Sequence, residues 1–127
     1  MNYTGQEINI LIFKIMNIKF GVSTDQLDAM VNYDESEKTD SSIFWLHERI
    51  DFYNRNIIYQ SPKILMTKDI NHLAGIIVDE PEDIISLNID SIMPLPTLFD
   101  VIECSKALWG CAMYKNNIIL LVDFFKL

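Results

Sequence analysis

Short apolar blocks separated by polar punctuation run through the whole chain. Ile8 to Ile15 is apolar at nearly every position, as expected of a strand buried on both faces. Met16-Asn17 reads as a hairpin turn, with Asn17 tolerating left-handed dihedrals. Ile18, Phe20 and Val22 alternate with Lys19 and Gly21, the pattern of a half-buried strand. Ser23, followed three residues later by Gln26, is a capping-box pattern. It predicts a short helix or helical turn over Asp25 to Val31, with Leu27 and Met30 facing inward.

Asn32 to Ser42 is polar and acidic, a solvated loop or an acidic docking site. Ile43 to Leu46 is a short strand, and Leu46 to Phe52 has room for one or two helical turns. Pro62 marks a boundary before a strand over Lys63 to Thr67. Asp69 to His72 forms a turn, and Leu73 to Val78 the next strand. Met93-Pro94-Leu95-Pro96 is excluded from a central strand, because two prolines remove two ladder donors; an extended connector is predicted. Thr97 to Ala107 holds a loop or a short helix. Leu108 to Tyr114 and Ile118 to Val122 form a terminal hairpin around Lys115-Asn116-Asn117, and Asp123 caps a last turn through Leu127.

Two of these hairpins repeat. Ile10, Leu11, Lys14, Asn17, Gly21 and Asp25 match Ile64, Leu65, Lys68, Asn71, Gly75 and Asp79 at constant offset. Val22 pairs with Ile76, and Met30-Val31 with Ile84-Ile85. The second copy continues from an apolar run into Asp79-Glu80-Pro81-Glu82. There Asp79 and Glu82 fit an Asp-x-x-Glu cap on a helical turn, and Ile84, Ile85 and Leu87 resume extended structure. Two similar β lobes follow, about residues 8–60 and 61–127, with the C-terminal strand a candidate for exchange between them. Many short strands with regular turn signals favour small barrels, because closure removes exposed edges.

Composition narrows the function. The 127 residues are half hydrophobic, enough for a single globular domain with a good core. A net charge of −8 with ten scattered basic residues argues against nucleic acid and against anionic membrane surfaces. Cys104 and Cys111 do not make a disulfide framework, which suits a reducing cytoplasm. Met1 to Glu7 has neither a basic start nor an apolar core, so no export leader is expected.

Catalytic chemistry finds no constellation. His47 and His72 lie far apart, and Cys104 and Cys111 lack zinc-type spacing. Gly75 and Gly110 follow no phosphate-loop pattern. No catalytic residue, metal site or cofactor is expected. Trp45 and Trp109 fit a small core, and become binding anchors if exposed.

Gly75 to Asp79 followed by Asp83 to Leu87, Pro94-Leu95-Pro96, Trp109-Gly110 and the closing Ile118 to Leu127 together resemble the CheW-like domain family of bacterial chemotaxis adaptors. Phe13 to Leu27 fits that family's opening hairpin. The resemblance spans roughly Ile8 to Leu127. It implies a mostly β fold of two SH3-like small barrels packed side by side, and a non-enzymatic scaffold coupling chemoreceptor tips to a CheA-type histidine kinase. Receptors would use the groove between the lobes, and the kinase's regulatory domain the barrel ends. One departure stands out. Only Asn32 to Ser42 fills a stretch that is longer in the family and carries a glycine-containing strand. The first lobe is therefore expected to be abbreviated. An edge left open there would draw a partner or a second copy of the chain. Leu27 and Met30, with Trp45 nearby, are the first candidates for such a binding face; Val78, Asp79 and Glu82 are the second.

Overall fold

A computed structural model describes residues 6–34, 42–50, 57–68, 75–95 and 106–127. The turn assigned to Asp69–His72, with Asn71 and His72, lies outside these residues, as do Cys104 and most of the 97–107 connection. Nine strands are described: β1 (Glu7–Ile15), β2 (Ile18–Ser23), β3 (Leu27–Asn32), β4 (Ile43–Trp45), β5 (Pro62–Thr67), β6 (Gly75–Asp79), β7 (Pro81–Asn88), β8 (Leu108–Tyr114) and β9 (Asn117–Val122). One helical turn, α1 (Leu46–Arg49), follows β4.

The strands form two sheets, ordered β7-β1-β2-β9-β8 and β3-β5-β6-β4. The repeat seen in the sequence is a repeat of register. Ile12 faces Gly21 and Leu11 faces Val22 in one sheet; Met66 faces Gly75 and Leu65 faces Ile76 in the other. Each hairpin then takes a parallel strand on its second member, β9 beside β2 and β4 beside β6.

The third strands cross over. β3 leaves the first hairpin but pairs with β5, and β7 leaves the second hairpin but pairs with β1. Even the irregularity repeats, since Leu27 faces Thr67 and Pro81 faces Phe13 beyond a shift in each ladder. The sheets therefore do not divide the chain near residue 60. The five-stranded sheet gathers both ends of the chain, and the four-stranded one its middle. Among the described residues the sheet with fewer strands is the middle one, and the stretch singled out in the sequence, Asn32 to Ser42, links its β3 to its β4.

After β7, Asn88 caps a 3₁₀ turn over Ile89–Ser91 by accepting from the Asp90 N–H at 2.9 Å. The chain then returns so that Met93 and Cys111 of β8 exchange backbone bonds of 2.8 and 2.9 Å. That bridge joins the two edges of the five-stranded sheet into a barrel. In the smaller lobe, Tyr33, just past β3, meets Trp45 of β4 edge to face at 5.0 Å, so aromatic packing brings those edges together.

Successive strand residues point to opposite faces, and β1 serves two cores. Ile10 and Ile12 join Ile85, Leu87, Ala112, Ile119 and Leu121 inside the larger barrel. Leu11, Phe13 and Ile15 join Phe20, Val22, Leu65, Ile76, Val78 and Phe124 between the lobes. Phe13 stacks on Phe20 at 5.6 Å.

Four local expectations change. Asp25 to Val31 is not helical: Ser23 caps one 3₁₀ turn, Thr24–Gln26, and β3 begins at once. Apolar residues at helical spacing there are overridden by pairing with β5. Gln26 completes no capping box; its amide donates to Asp123 Oδ1 at 2.7 Å and accepts from the Phe124 N–H at 2.8 Å, fastening the C-terminal turn to the first hairpin. Met16, with φ of 56°, and not Asn17, takes the left-handed position of the first hairpin. Asp79 caps no helix, because Glu80 alone, at φ 41°, turns β6 into β7. The terminal hairpin and the Asp123 cap on Phe124–Lys126 form as expected, with Lys115 and Asn116 both left-handed at the turn.

Candidate functional site

The crossing strands leave an apolar groove between the lobes. It has a volume of about 230 Å³ and is lined by Leu11, Thr24, Leu27, Asp28, Ala29, Met30, Leu65 and Ile84. Its construction follows from the repeat. Met30 lies opposite Leu65 across β3 and β5, and Ile84 lies opposite Leu11 across β7 and β1. Leu11 and Leu65 are near-buried members of the inter-lobe core and form the floor. Met30 and Ile84 stand on the rims, 52% and 65% exposed.

The sequence placed Met30 inward on a helix; on β3 it faces solvent, and that makes it available to a partner. Leu27 is half-buried and lines the same groove. Sequence reasoning did not choose Leu11, Leu65 or Ile84 as site residues. The signal was present for Ile84, which the repeat pairs with Met30.

The other candidates fare differently. Val78 is fully buried between the lobes and presents nothing to a partner. Asp79 is 1% exposed. Its carboxylate accepts N–H bonds from Gln60 at 2.8 Å, Ser61 at 2.6 Å and Glu80 at 3.1 Å. It ties the approach to β5 onto the end of β6, so its role is internal support. Both side chains are buried, Val78 between the lobes and Asp79 beneath the Gln60–Ser61 backbone that it holds. Glu82 is exposed but holds Lys19 at 3.0 Å; a parallel pair joins Lys14 to Glu80 at 3.3 Å.

Trp45 belongs to a separate aromatic cluster. Tyr59 meets it edge to face at 4.7 Å, and His47 lies 6.0 Å away. His47 Nδ1 and the Tyr59 hydroxyl share a hydrogen bond of 3.1 Å. Burial pushes the Tyr59 phenol above the ordinary tyrosine range, and a hydrogen bond from the His47 backbone opposes it only in part. Trp109, placed in the core as one reading of the sequence, is 43% exposed.

A second cavity of about 440 Å³ opens at one end of the larger barrel, between the tips of the β1–β2 and β8–β9 hairpins. Ile18, Ile118 and Leu120 give it an apolar floor, and Asn17, Asn116 and Asn117 line it with amides. Among the described residues no group of His, Cys, Asp and Glu side chains is placed to hold a metal ion. No described helix is long and apolar enough to cross a membrane.

No protein-family model matches the chain, and no curated protein sequence does. The fold is similar to the crystal structure of the scaffolding protein TtCheW from Thermoanaerobacter tengcongensis, with a TM-score of 0.69 and 18% identity. The alignment covers 93% of this chain and 90% of that one. The fold is therefore CheW-like: mostly β, in two lobes.

Proposed function

We propose that the chain is a non-enzymatic scaffold of chemotaxis-like signal transduction, coupling chemoreceptor cytoplasmic tips to a CheA-type histidine kinase in the cytoplasm. The observation that carries this reading is the groove. Two large apolar side chains, Met30 and Ile84, stand exposed on facing rims above an apolar floor. Exposed apolar residues gathered over a concavity mark an interaction site far better than scattered ones do. A receptor tip would lie in the groove, and the kinase's regulatory domain would meet the barrel end at Ile18 and Ile118. The likeness to a scaffolding protein along most of both chains supports the assignment. The role calls for no metal or cofactor.

The test is capture of partners from the native cytosol by the full chain, read by mass spectrometry, with Met30→Asp and Ile84→Asp as controls. A receptor or a CheA-type kinase held by the parent and lost from both variants is the expected result. Retention of the same proteins by both variants would place the site elsewhere.

A further inference from the structure

A third cavity, of about 380 Å³, opens at the end of the larger barrel opposite the asparagine-lined one, where β1 and β8 begin and β2 and β9 end. Ile8, Val122 and the Trp109 ring give it apolar walls, and Asp123 and Lys126 bring one charge of each sign. Exposure makes a tryptophan a binding anchor, and Trp109 is 43% exposed. Its position follows from the β8–β9 ladder. The register shifts between Leu108 and Gly110, so Trp109 is the extra, unpaired residue and its ring is left at the mouth of the barrel.

The two charges share the cavity without pairing. Asp123 caps the C-terminal 3₁₀ turn and Lys126 lies three residues on, a spacing that sets side chains over one another in such a turn. Asp123 Oδ1 is occupied, accepting from the Gln26 amide at 2.7 Å and from the Phe125 N–H at 2.9 Å. Its Oδ2 has no partner among the described residues, and neither do the Lys126 ammonium and the Trp109 indole N–H. The asparagine-lined cavity differs, since its charged side chain, Lys19, is neutralised by Glu82 at 3.0 Å.

We propose that this cavity binds a free α-amino acid with a large apolar side chain, as its zwitterion. The ligand ammonium meets Asp123 Oδ2. The ligand carboxylate meets the Lys126 ammonium and the Trp109 indole N–H, and the side chain packs on Trp109, Ile8 and Val122. The charge pattern selects this class. A simple anion would face Asp123, and a simple cation would face Lys126. A neutral apolar molecule would desolvate both charges and answer neither. An α-amino acid carries both charges on one carbon with its apolar group beside them. The volume lies near the lower bound of small-molecule sites, about 300–1,000 Å³, which suits one small ligand. The site shares no lining residue with the groove, so it stands or falls apart from the scaffold role.

The test is titration of the isotopically labelled full chain with L-phenylalanine and L-leucine. NMR follows the Trp109 indole signal at about pH 6.5, where α-amino groups are protonated. The chain has two tryptophans, so loss of one signal in Trp109→Phe assigns it. Saturable shifts with millimolar affinity or tighter are expected from both amino acids. N-acetyl-L-phenylalanine and L-phenylalanine amide each lack one charge. Both should bind at least about three-fold more weakly, as suits loss of one partly exposed ion pair. Lys126 is exposed, and Lys126→Glu should reverse the order, so that the amide binds more tightly than the free amino acid. No shift with either amino acid would overturn the proposal. Equal affinity for free and blocked forms, or an order unchanged by Lys126→Glu, would overturn the recognition by paired charges on which it rests.

Discussion

Gly21 and Gly75 occupy the same position in the two sheets. Gly21 sits opposite Ile12, and Gly75 opposite Met66. A Cβ on Gly21 would lie 2.5 Å from Ile10 Cγ2, and one on Gly75 would lie 2.7 Å from Ile64 Cγ2. In both lobes the branched side chain of the neighbouring strand fills the space above the glycine. In both sheets the glycine leaves its neighbouring strand no room for a Cβ at this point.

Replacing either glycine with alanine should overpack the barrel. Around Gly21 the other near atoms belong to Ile119 and Leu121, both fully buried and unable to withdraw. Around Gly75 the second neighbour is the Met66 sulfur, on a flexible chain. Gly21→Ala is expected to cost about 1–3 kcal/mol, and Gly75→Ala less. Urea unfolding of the two variants, compared at constant m-value, measures the difference.

Much of the fold was legible because the repeat uses residues whose demands are local and specific. A glycine under a branched neighbour and a hairpin of fixed length survive as a register that can be read by eye. The exchange of β3 and β7 between lobes was not legible. An edge strand of given pattern satisfies either hairpin equally well, and only the length and direction of the connection decide. The three-residue turn at Thr24–Gln26 and the single residue Glu80 are too short to return each strand to its own hairpin. Misreading β3 as a helix has a related cause: Leu27 and Met30 are spaced as on a helix, but a bulge in the ladder produces the same spacing. The groove was half legible, in Leu27 and Met30. Its other half needed knowledge of which strand lies beside β1.

Asp79 illustrates a residue whose acidic character serves the fold. Three backbone N–H groups converge on a carboxylate that solvent does not reach. Asp79→Ala strands those donors and should cost about 3 kcal/mol or more, since hydrogen bonds to charged groups are worth about 1.5–3 kcal/mol each and are not fully additive. Asp79→Asn keeps the shape but exchanges one acceptor for a donor, and should fall between. Thermal melts give the ranking. Partner binding of both variants should scale with the folded fraction, and a binding loss in fully folded protein would contradict the purely internal role.

Tyr59 gives the fold an alkaline limit. Its phenol is pushed above the ordinary value by burial, so the neutral form is the one the folded state favours. The unfolded chain loses this proton near pH 10, before the folded one does. The stabilisation is therefore fully present below about pH 10 and declines as pH rises beyond it. Tyr59→Phe removes that decline. Near neutral pH the variant should be less stable by about 0.5–1.5 kcal/mol, through loss of the bond shared with His47. Urea midpoints measured between pH 8 and about pH 11 should converge for parent and variant as pH rises. Parallel curves would show that Tyr59 ionises like a solvated phenol.

The groove separates into a floor that holds the fold and rims that do not. Leu65 is fully buried and Leu11 nearly so, both within the inter-lobe core. Introducing a charge at Leu65 would place an uncompensated carboxylate in the inter-lobe core, and Leu65→Asp should unfold the protein. Met30 and Ile84 keep half or more of their surface in water, so Met30→Asp and Ile84→Asp leave little buried contact behind. Their stability should stay within about 1 kcal/mol of the parent, with the far-ultraviolet β signal unchanged. Binding is expected to respond in the opposite sense. A partner seated in the groove must desolvate both rims at once, and a carboxylate on either rim leaves a buried charge in the complex. Each single variant should weaken a partner by more than tenfold, about 1.4 kcal/mol or more. The double variant should add little, since either change already blocks the seat. A partner whose affinity responds to only one of the two changes would mean that the rims engage separate partners, and unfolding of the Met30 variant would return that side chain to the core.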